Sequence, residues 1–243
     1  MQAPVCEVTR SKWDRWAPVS GLFFVAFSLA AWLLFIGAPG VDASAADAAG
    51  FVRDHRPHLL LAALLTGVAL ISFLSFLGVI FMFVRAAGEL ELGVIGVGGG
   101  LVAGLLFVLI GAIPAALAFN ISSTADPEVV KAIYDLVWPL QVLVAFPAAV
   151  LVGAVSLASL RSRVLPDAIS WAGIGSAIIV LIGGTTWSRT GHWSPSHGYA
   201  YVALFAFLSW IVVMSVLLLW RVRATQTGDR QSPVRRRPAA ASE

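Results

Sequence analysis

An all-α fold, a polytopic six-helix transmembrane bundle with N- and C-termini cytoplasmic, is what this sequence predicts, and three observations predict it. The 243 residues are 59% hydrophobic and 12% charged, with mean hydropathy +0.88, whereas a soluble domain carries roughly a quarter charged residues. Six windows of about 18 residues or more, long enough to cross a bilayer core, contain no Asp, Glu, Lys, Arg or His: 19–37, 59–84, 92–119, 136–160, 168–187 and 199–220. With the spans alternating, all but Arg53, Arg56, Lys131 and Arg189 of the 16 basic residues fall on one side. The positive-inside rule makes that side cytoplasmic. A water-soluble globule is excluded. Residues 1–18 read as an interfacial lead-in, 19–220 as a multi-pass domain of the cell membrane, and 221–243 as a disordered basic tail.

The first window exceeds the ~7–15-residue core of a secretory signal, so it reads as a retained span, anchored by Lys12, Trp13, Arg15 and Trp16. The Ala- and Asp-rich loop 38–56 predicts a short helix on the outer rim. Pro57 fits a first helical position, and Asp54 and Asp126 suit N-caps or first turns. Membrane helices associate by close backbone approach. The third span supplies it with Gly96, Gly100 and Gly104 at four-residue spacing and Gly111 on the same face. The run around Gly98 is no phosphate loop, since it lacks a preceding strand and an aqueous site. The fourth span repeats the device with Ala145, Ala149 and Gly153, and the fifth carries Gly173, Gly175, Gly183 and Gly184. Spans three to five are thus the expected centre, and the glycine faces a route to a homo-oligomer. Pro114, Pro139 and Pro147 predict kinks able to open a cavity. Trp138, Trp187, Trp193, Tyr134, Tyr199 and Tyr201 form an outer aromatic belt, Trp171 and Trp220 an inner one. Only Trp32 and Trp210 lie well inside their spans.

No span contains an ionisable residue; the strongest polar groups are Gln141, Ser72, Ser75, Thr185 and Thr186. This disfavours proton relays, ion pumps and intramembrane metal sites. Cys6, the single cysteine, cannot make an intrachain disulfide. All four histidines map to the outer side, as His55 with His58 and His192 with His197. In one reading His58 and His197, helped by Asp135, Asp54 or Glu128, bind a metal or act as an acid–base pair. His58, Asp135 and His197 are then the catalytic candidates, and Arg53, His55, Tyr134, Gln141, Arg189, His192 and Tyr199 the binding candidates. In the competing reading these groups solvate and cap helix starts. The pairs match no zinc or haem signature, and no Gly-x-Ser-x-Gly elbow surrounds Ser122, Ser123, Ser188, Ser194 or Ser196. No cofactor is called for. The expected partners are the bilayer and, through Arg235-Arg236-Arg237, its anionic headgroups; nucleic acid is not expected.

The run Trp13-Asp14-Arg15-Trp16-Ala17-Pro18-Val19-Ser20-Gly21 and the outer loop ending Phe51-Val52-Arg53-Asp54-His55-Arg56 resemble a group of uncharacterised six-span integral membrane proteins common in actinobacteria. The resemblance implies the six-span fold and supplies no activity. Three function classes follow: a non-catalytic binding or accessory protein, an outer-face metal-binding or acid–base enzyme acting on a lipid-like substrate, and a permease for an apolar solute. The last requires a continuous cavity past Gln141 and Thr185/Thr186.

Overall fold

The computed structural model describes residues 18–121, 124–196 and 198–231, with backbone only for 222–231. The described residues form helices and no strand. In chain order these are α1 (Val19–Leu33), α2 (Ala45–Asp54), α3 (Arg56–Ala86), α4 (Leu90–Phe119), α5 (Pro127–Tyr134), α6 (Val137–Leu143), α7 (Ala145–Ser162), α8 (Asp167–Gly183) and α9 (Tyr199–Gln231).

Four helical stretches are long and apolar enough to cross a membrane: Arg56–Ala86, Leu90–Phe119, the broken unit Pro127–Ser162, and Tyr199–Arg221. Their apolar residues do not keep to one face. Leu64, Ile71, Leu101 and Leu105 are exposed, as expected of helices hydrophobic all round and solvated by lipid rather than water. Helices α1 and α8 are apolar but shorter, with 15 and 17 residues, and at about 1.5 Å per residue they fall short of a ~30 Å core. Their sequence windows outrun them. Past α1 the chain turns through Gly37 at φ +84°, a left-handed conformation that glycine adopts without a Cβ clash. Past α8, Thr185 and Thr186 lie in turns and donate to the carbonyls of Ile182 (2.7 Å) and Gly183 (2.8 Å). The expectation that they sit inside a span is corrected: their hydroxyls serve the α8 carbonyls that lack helical partners.

Gly96, Gly100, Gly104 and Gly111 of α4 are buried against neighbours in the same chain. A Cβ on Gly100 would stand 2.5 Å from Leu77 Cδ2, one on Gly104 3.2 Å from Leu70, and one on Gly111 3.1 Å from Thr66, all on α3. Gly96 faces Leu151, Ala154 and Val155 of α7. Ala145 and Ala149 of α7 cluster with Ala103 and Val180, and Gly153 faces Ala177 of α8. The centre differs from expectation in one respect. Its bulk comes from Phe73, Phe76, Leu77 and Ile80 of α3, Leu151 and Val155 of α7, and Ile211 and Met214 of α9. A glycine face brings backbones together but provides grooves, so the knobs must come from its partners.

The prolines act unequally. Pro114 lies inside an unbroken α4. Pro139 denies a partner to the carbonyl of Asp135 four residues earlier, which instead accepts from Trp138 N–H at 3.2 Å, and α5 ends there. Pro147 likewise frees the carbonyl of Leu143, beside the break at Val144.

At one end of the bundle, here called the rim, α2 and α5 pack on each other and on the ends of α3 and α4 through Phe51, Val52, Leu59, Leu117, Val130 and Tyr134. Ser44 caps α2 by accepting from Asp47 N–H, and Asp126 caps α5 by accepting from Glu128 N–H. Asp54, expected at a helix start, instead ends α2, and His55 heads α3 without a side-chain cap. At the opposite end α9 continues to Gln231, past the boundary at 220 where the sequence predicts the tail to begin. Extending a formed helix is far easier than nucleating one. The Arg235–Arg237 cluster and residues 1–17 lie outside the described residues.

Gly100→Val should destabilise the protein by about 1–3 kcal/mol through overpacking against Leu77. Gly98, whose added Cβ would meet nothing within 4 Å, should accept alanine with a gain of up to about 1 kcal/mol. Thermal denaturation in detergent reads both, and equal stability of the two variants would refute the packing role of this face.

Candidate functional site

Between α1, α4, α6, α7, α8 and α9, on the rim side of the packed core, the bundle encloses a cavity of two adjoining lobes. The wide lobe, about 600 Å³, runs from Phe107, Ile110, Gly111 and Pro114 up to the loop at Gly37, Ala38 and Gly40 and to Tyr134, Trp138 and Ser196. The deep lobe, about 150 Å³, is walled mainly by small and apolar residues, among them Ala103, Ala145, Ala148, Gly183 and Ala203. Ser28, Trp32, Phe107 and Gln141 belong to both walls. The local reason for the space is the run of side chains too small to meet across it, combined with the breaks at Asp135 and Val144 that hold α6 apart from a straight α5–α7 rod.

The cavity ends where Phe24, Phe73 and Leu208 line the deep lobe. Beyond them Phe76, Leu77, Ile80, Leu151, Val155, Ile211 and Met214 are buried together, and they fill the other half of the bundle. The lobes do reach Gln141 and Thr186, the residues a permeation path would use, but among the described residues they form a blind chamber.

Among the described residues, neither lobe is lined by Asp, Glu, Lys, Arg or His. Its polar groups are neutral, and two have no partner: Ser28 Oγ and Trp138 Nε1 are buried without a hydrogen bond. A buried polar group left unpaired costs about 1–3 kcal/mol. Trp32, at the end of α1, stands edge-on to Tyr201 (5.9 Å) and Phe205 (6.1 Å) of α9. Trp32 and Phe205 are exposed on the flank of the bundle and line the wide lobe, so this aromatic seam joins the lobe to that flank.

The rim residues singled out by the sequence occupy a different setting. His55 stacks on Phe51 at 4.4 Å and its Nδ1 lies 3.1 Å from the Phe51 carbonyl, so it finishes α2. His58 is exposed, its ring 5.9 Å from that of His55. Asp135 pairs with Lys131 one turn earlier, and Lys131 also donates to the Val41 carbonyl at 3.2 Å. Arg53, Arg189 and His192 are exposed. Arg56 donates to the carbonyls of Ala118 and Phe119 that end α4. Tyr199 donates to Ile179 O at 3.3 Å and stacks on Trp193. His197, with Ser122 and Ser123, lies outside the described residues. Among the described residues no group of three His, Cys, Asp or Glu side chains could hold a metal. Of the binding candidates, Tyr134 and Gln141 line the cavity; the others do not.

Ser28 and Trp138 escaped the sequence reading. Ser28 carried a signal, being with Ser20 one of two hydroxyls in an otherwise apolar window. Trp138 carried none, since a tryptophan at a span end belongs to the aromatic belt.

Comparison with protein families, characterised proteins and solved structures returns no match to this chain.

Because Ser28 Oγ bonds to nothing within the protein, Ser28→Ala should leave thermal stability within about 0.5 kcal/mol of the parent or raise it. Tyr201→Phe, which deletes a 2.8 Å bond to the Ser196 carbonyl, should cost about 1 kcal/mol. Ser28→Ala being the more damaging of the two would assign Ser28 a structural task.

Proposed function

We propose that this chain is a six-span protein of the cytoplasmic membrane, with both termini inside and the rim outside, that works as a non-catalytic binding protein for an apolar molecule. It is further proposed to belong with the six-span actinobacterial proteins it resembles. The observation that carries the function is the chamber: sizeable, apolar, without Asp, Glu, Lys, Arg or His among the described residues of its walls, and blind at its inner end. Its wide lobe falls within the roughly 300–1,000 Å³ typical of small-molecule sites. Acid–base chemistry needs a titratable group within reach of the reacting atom, and the described chamber walls offer only the phenols of Tyr134 and Tyr201, the second of which donates to the Ser196 carbonyl. A permease needs a way out on the far side, where the core is packed.

Six spans with these termini follow from charge placement, supported by four long apolar helices and two shorter ones, α1 and α8. The shorter helices are matched to the bilayer by local thinning and by interfacial aromatic and basic residues at their ends. The exposed rim charges then solvate the outer ends of α2 to α5, and the polar segment of α9 beyond Trp220 lies in the cytoplasm beside anionic headgroups.

Two measurements test this reading. In a Cys6→Ser background, whole cells should expose Thr190→Cys but not Ala86→Cys to a membrane-impermeant maleimide; the opposite pattern would invert the topology. Native mass spectrometry with metal analysis of detergent-purified protein should find a co-purified apolar molecule and substoichiometric metal. Stoichiometric metal without such a molecule would overturn the binding reading in favour of a rim metal site.

A further inference from the structure

Resting on the binding reading above, the geometry points to a narrower ligand class: an uncharged lipid bearing a hydroxyl or carbonyl head. The head lies against Ser28 and Gln141 where the lobes meet, and Trp138 serves as a further donor.

Three independent observations carry the inference. First, a charged head is excluded by the walls. Among the described residues neither lobe offers a carboxylate, ammonium, guanidinium or imidazole, and a carboxylate, phosphate or ammonium entering it would lose its hydration without gaining a counter-ion. Second, a headless hydrocarbon leaves polar groups stranded. Ser28 is 8% exposed, and its Oγ and Trp138 Nε1 are buried without a partner in side chains that line the wide lobe, so each reaches a ligand oxygen only by a small turn of its side chain toward the lobe. Indole N–H only donates, whereas a serine hydroxyl and a glutamine amide both donate and accept. A hydroxyl or carbonyl oxygen satisfies this set; an alkyl chain does not. Third, the route of entry is apolar. The wide lobe meets the flank of the bundle at the seam of Trp32 on α1 with Tyr201 and Phe205 on α9, at the level of the membrane in the proposed topology. A ligand drawn from lipid can pass its head inward there and leave its hydrocarbon in the wide lobe and along the seam. At its rim end the same lobe is lined by Gly37, Ala38 and Gly40 of the first loop and by the buried Ser196.

The test uses the full chain in lipid nanodiscs and three photoreactive diazirine probes of equal chain length: a long-chain alcohol, the corresponding alkane and the corresponding fatty acid. Cross-links are mapped by peptide mass spectrometry. The alcohol should label wide-lobe residues such as Phe107, Ile110 and Phe205. The double variant Ser28→Ala/Gln141→Leu should cut that labelling about tenfold, as the loss of one to two net hydrogen bonds implies, with the unfolding temperature unchanged. Trp32→Ala, which opens the seam, should speed labelling at unchanged specificity. Alkane labelling equal to that of the alcohol and insensitive to the double variant would overturn the head assignment while leaving an apolar binding chamber. Preference for the fatty acid would overturn the requirement for a neutral head. Absence of chamber labelling by all three probes would overturn both this inference and the binding function on which it rests.

Discussion

The approach of α4 to α3 and α7 across Gly96, Gly100, Gly104 and Gly111 is the constraint on which the rest of the bundle depends. In an apolar solvent, helices gain nothing by hiding apolar surface from one another, so close backbone contact and dispersion must hold them. Removing four side chains from one face of α4 lets Leu77, Leu70 and Thr66 of α3, and Ala154 and Val155 of α7, seat directly on its backbone. The same device recurs where Gly21 of α1 meets Ser215 of α9 and where Gly173 of α8 meets Ser156 of α7. It also dictates where bulk appears. A helix that supplies grooves cannot supply knobs, so the large buried side chains sit on α3, α7 and α9.

Small residues have opposite effects in the two halves of the molecule. Toward the end opposite the rim they face large partners and the interior closes. On the rim side Ala103, Ala145, Ala148, Gly183 and Ala203 share one wall, and the Phe and Leu side chains around them leave the space between unfilled. Proline adds to the separation by breaking the α5–α7 unit at Asp135 and Val144. The chamber is therefore a product of the packing rule that makes the bundle compact, applied where both sides of an interface are small. Its neutrality has the same root as the apolar spans: a chain without ionisable groups in its membrane segments cannot line a cavity between them with charge.

The charged residues of the rim are spent on helix ends. Arg56 closes the carbonyls of α4, Asp126 opens α5, Lys131 links α5 to the first loop, and His55 finishes α2. Arg56 and Asp126 meet backbone groups that a helix terminus leaves without an internal partner, Lys131 meets a loop carbonyl, and His55 adds its ring to a carbonyl its own N–H already bonds. Chemistry-bearing residue types gathered at one end of a bundle are thus explained, for the most part, by where irregular backbone occurs.

Composition and periodicity by themselves determined that the chain is helical and apolar enough for a membrane. They located three of the four long stretches to within three residues, found Pro127–Ser162 only from its second helix onward, and identified the glycine-bearing face of α4. The outer-loop helix and the helix cap at Asp126 were legible too, because caps and apolar periodicity are local properties. The ends of α1 and α8 were not, since hydropathy does not register where a backbone turns, and Thr185 and Thr186 read as span residues for that reason. Nor was the bulk of the core, which depends on which neighbour fills a groove. Only the tertiary structure decided that Ser28, Gln141 and Trp138, from helices distant in sequence, share one cavity and that its other end is sealed. A cavity is a relation between surfaces brought together by packing, and a single helix face, however clearly patterned, records only its own half of that relation.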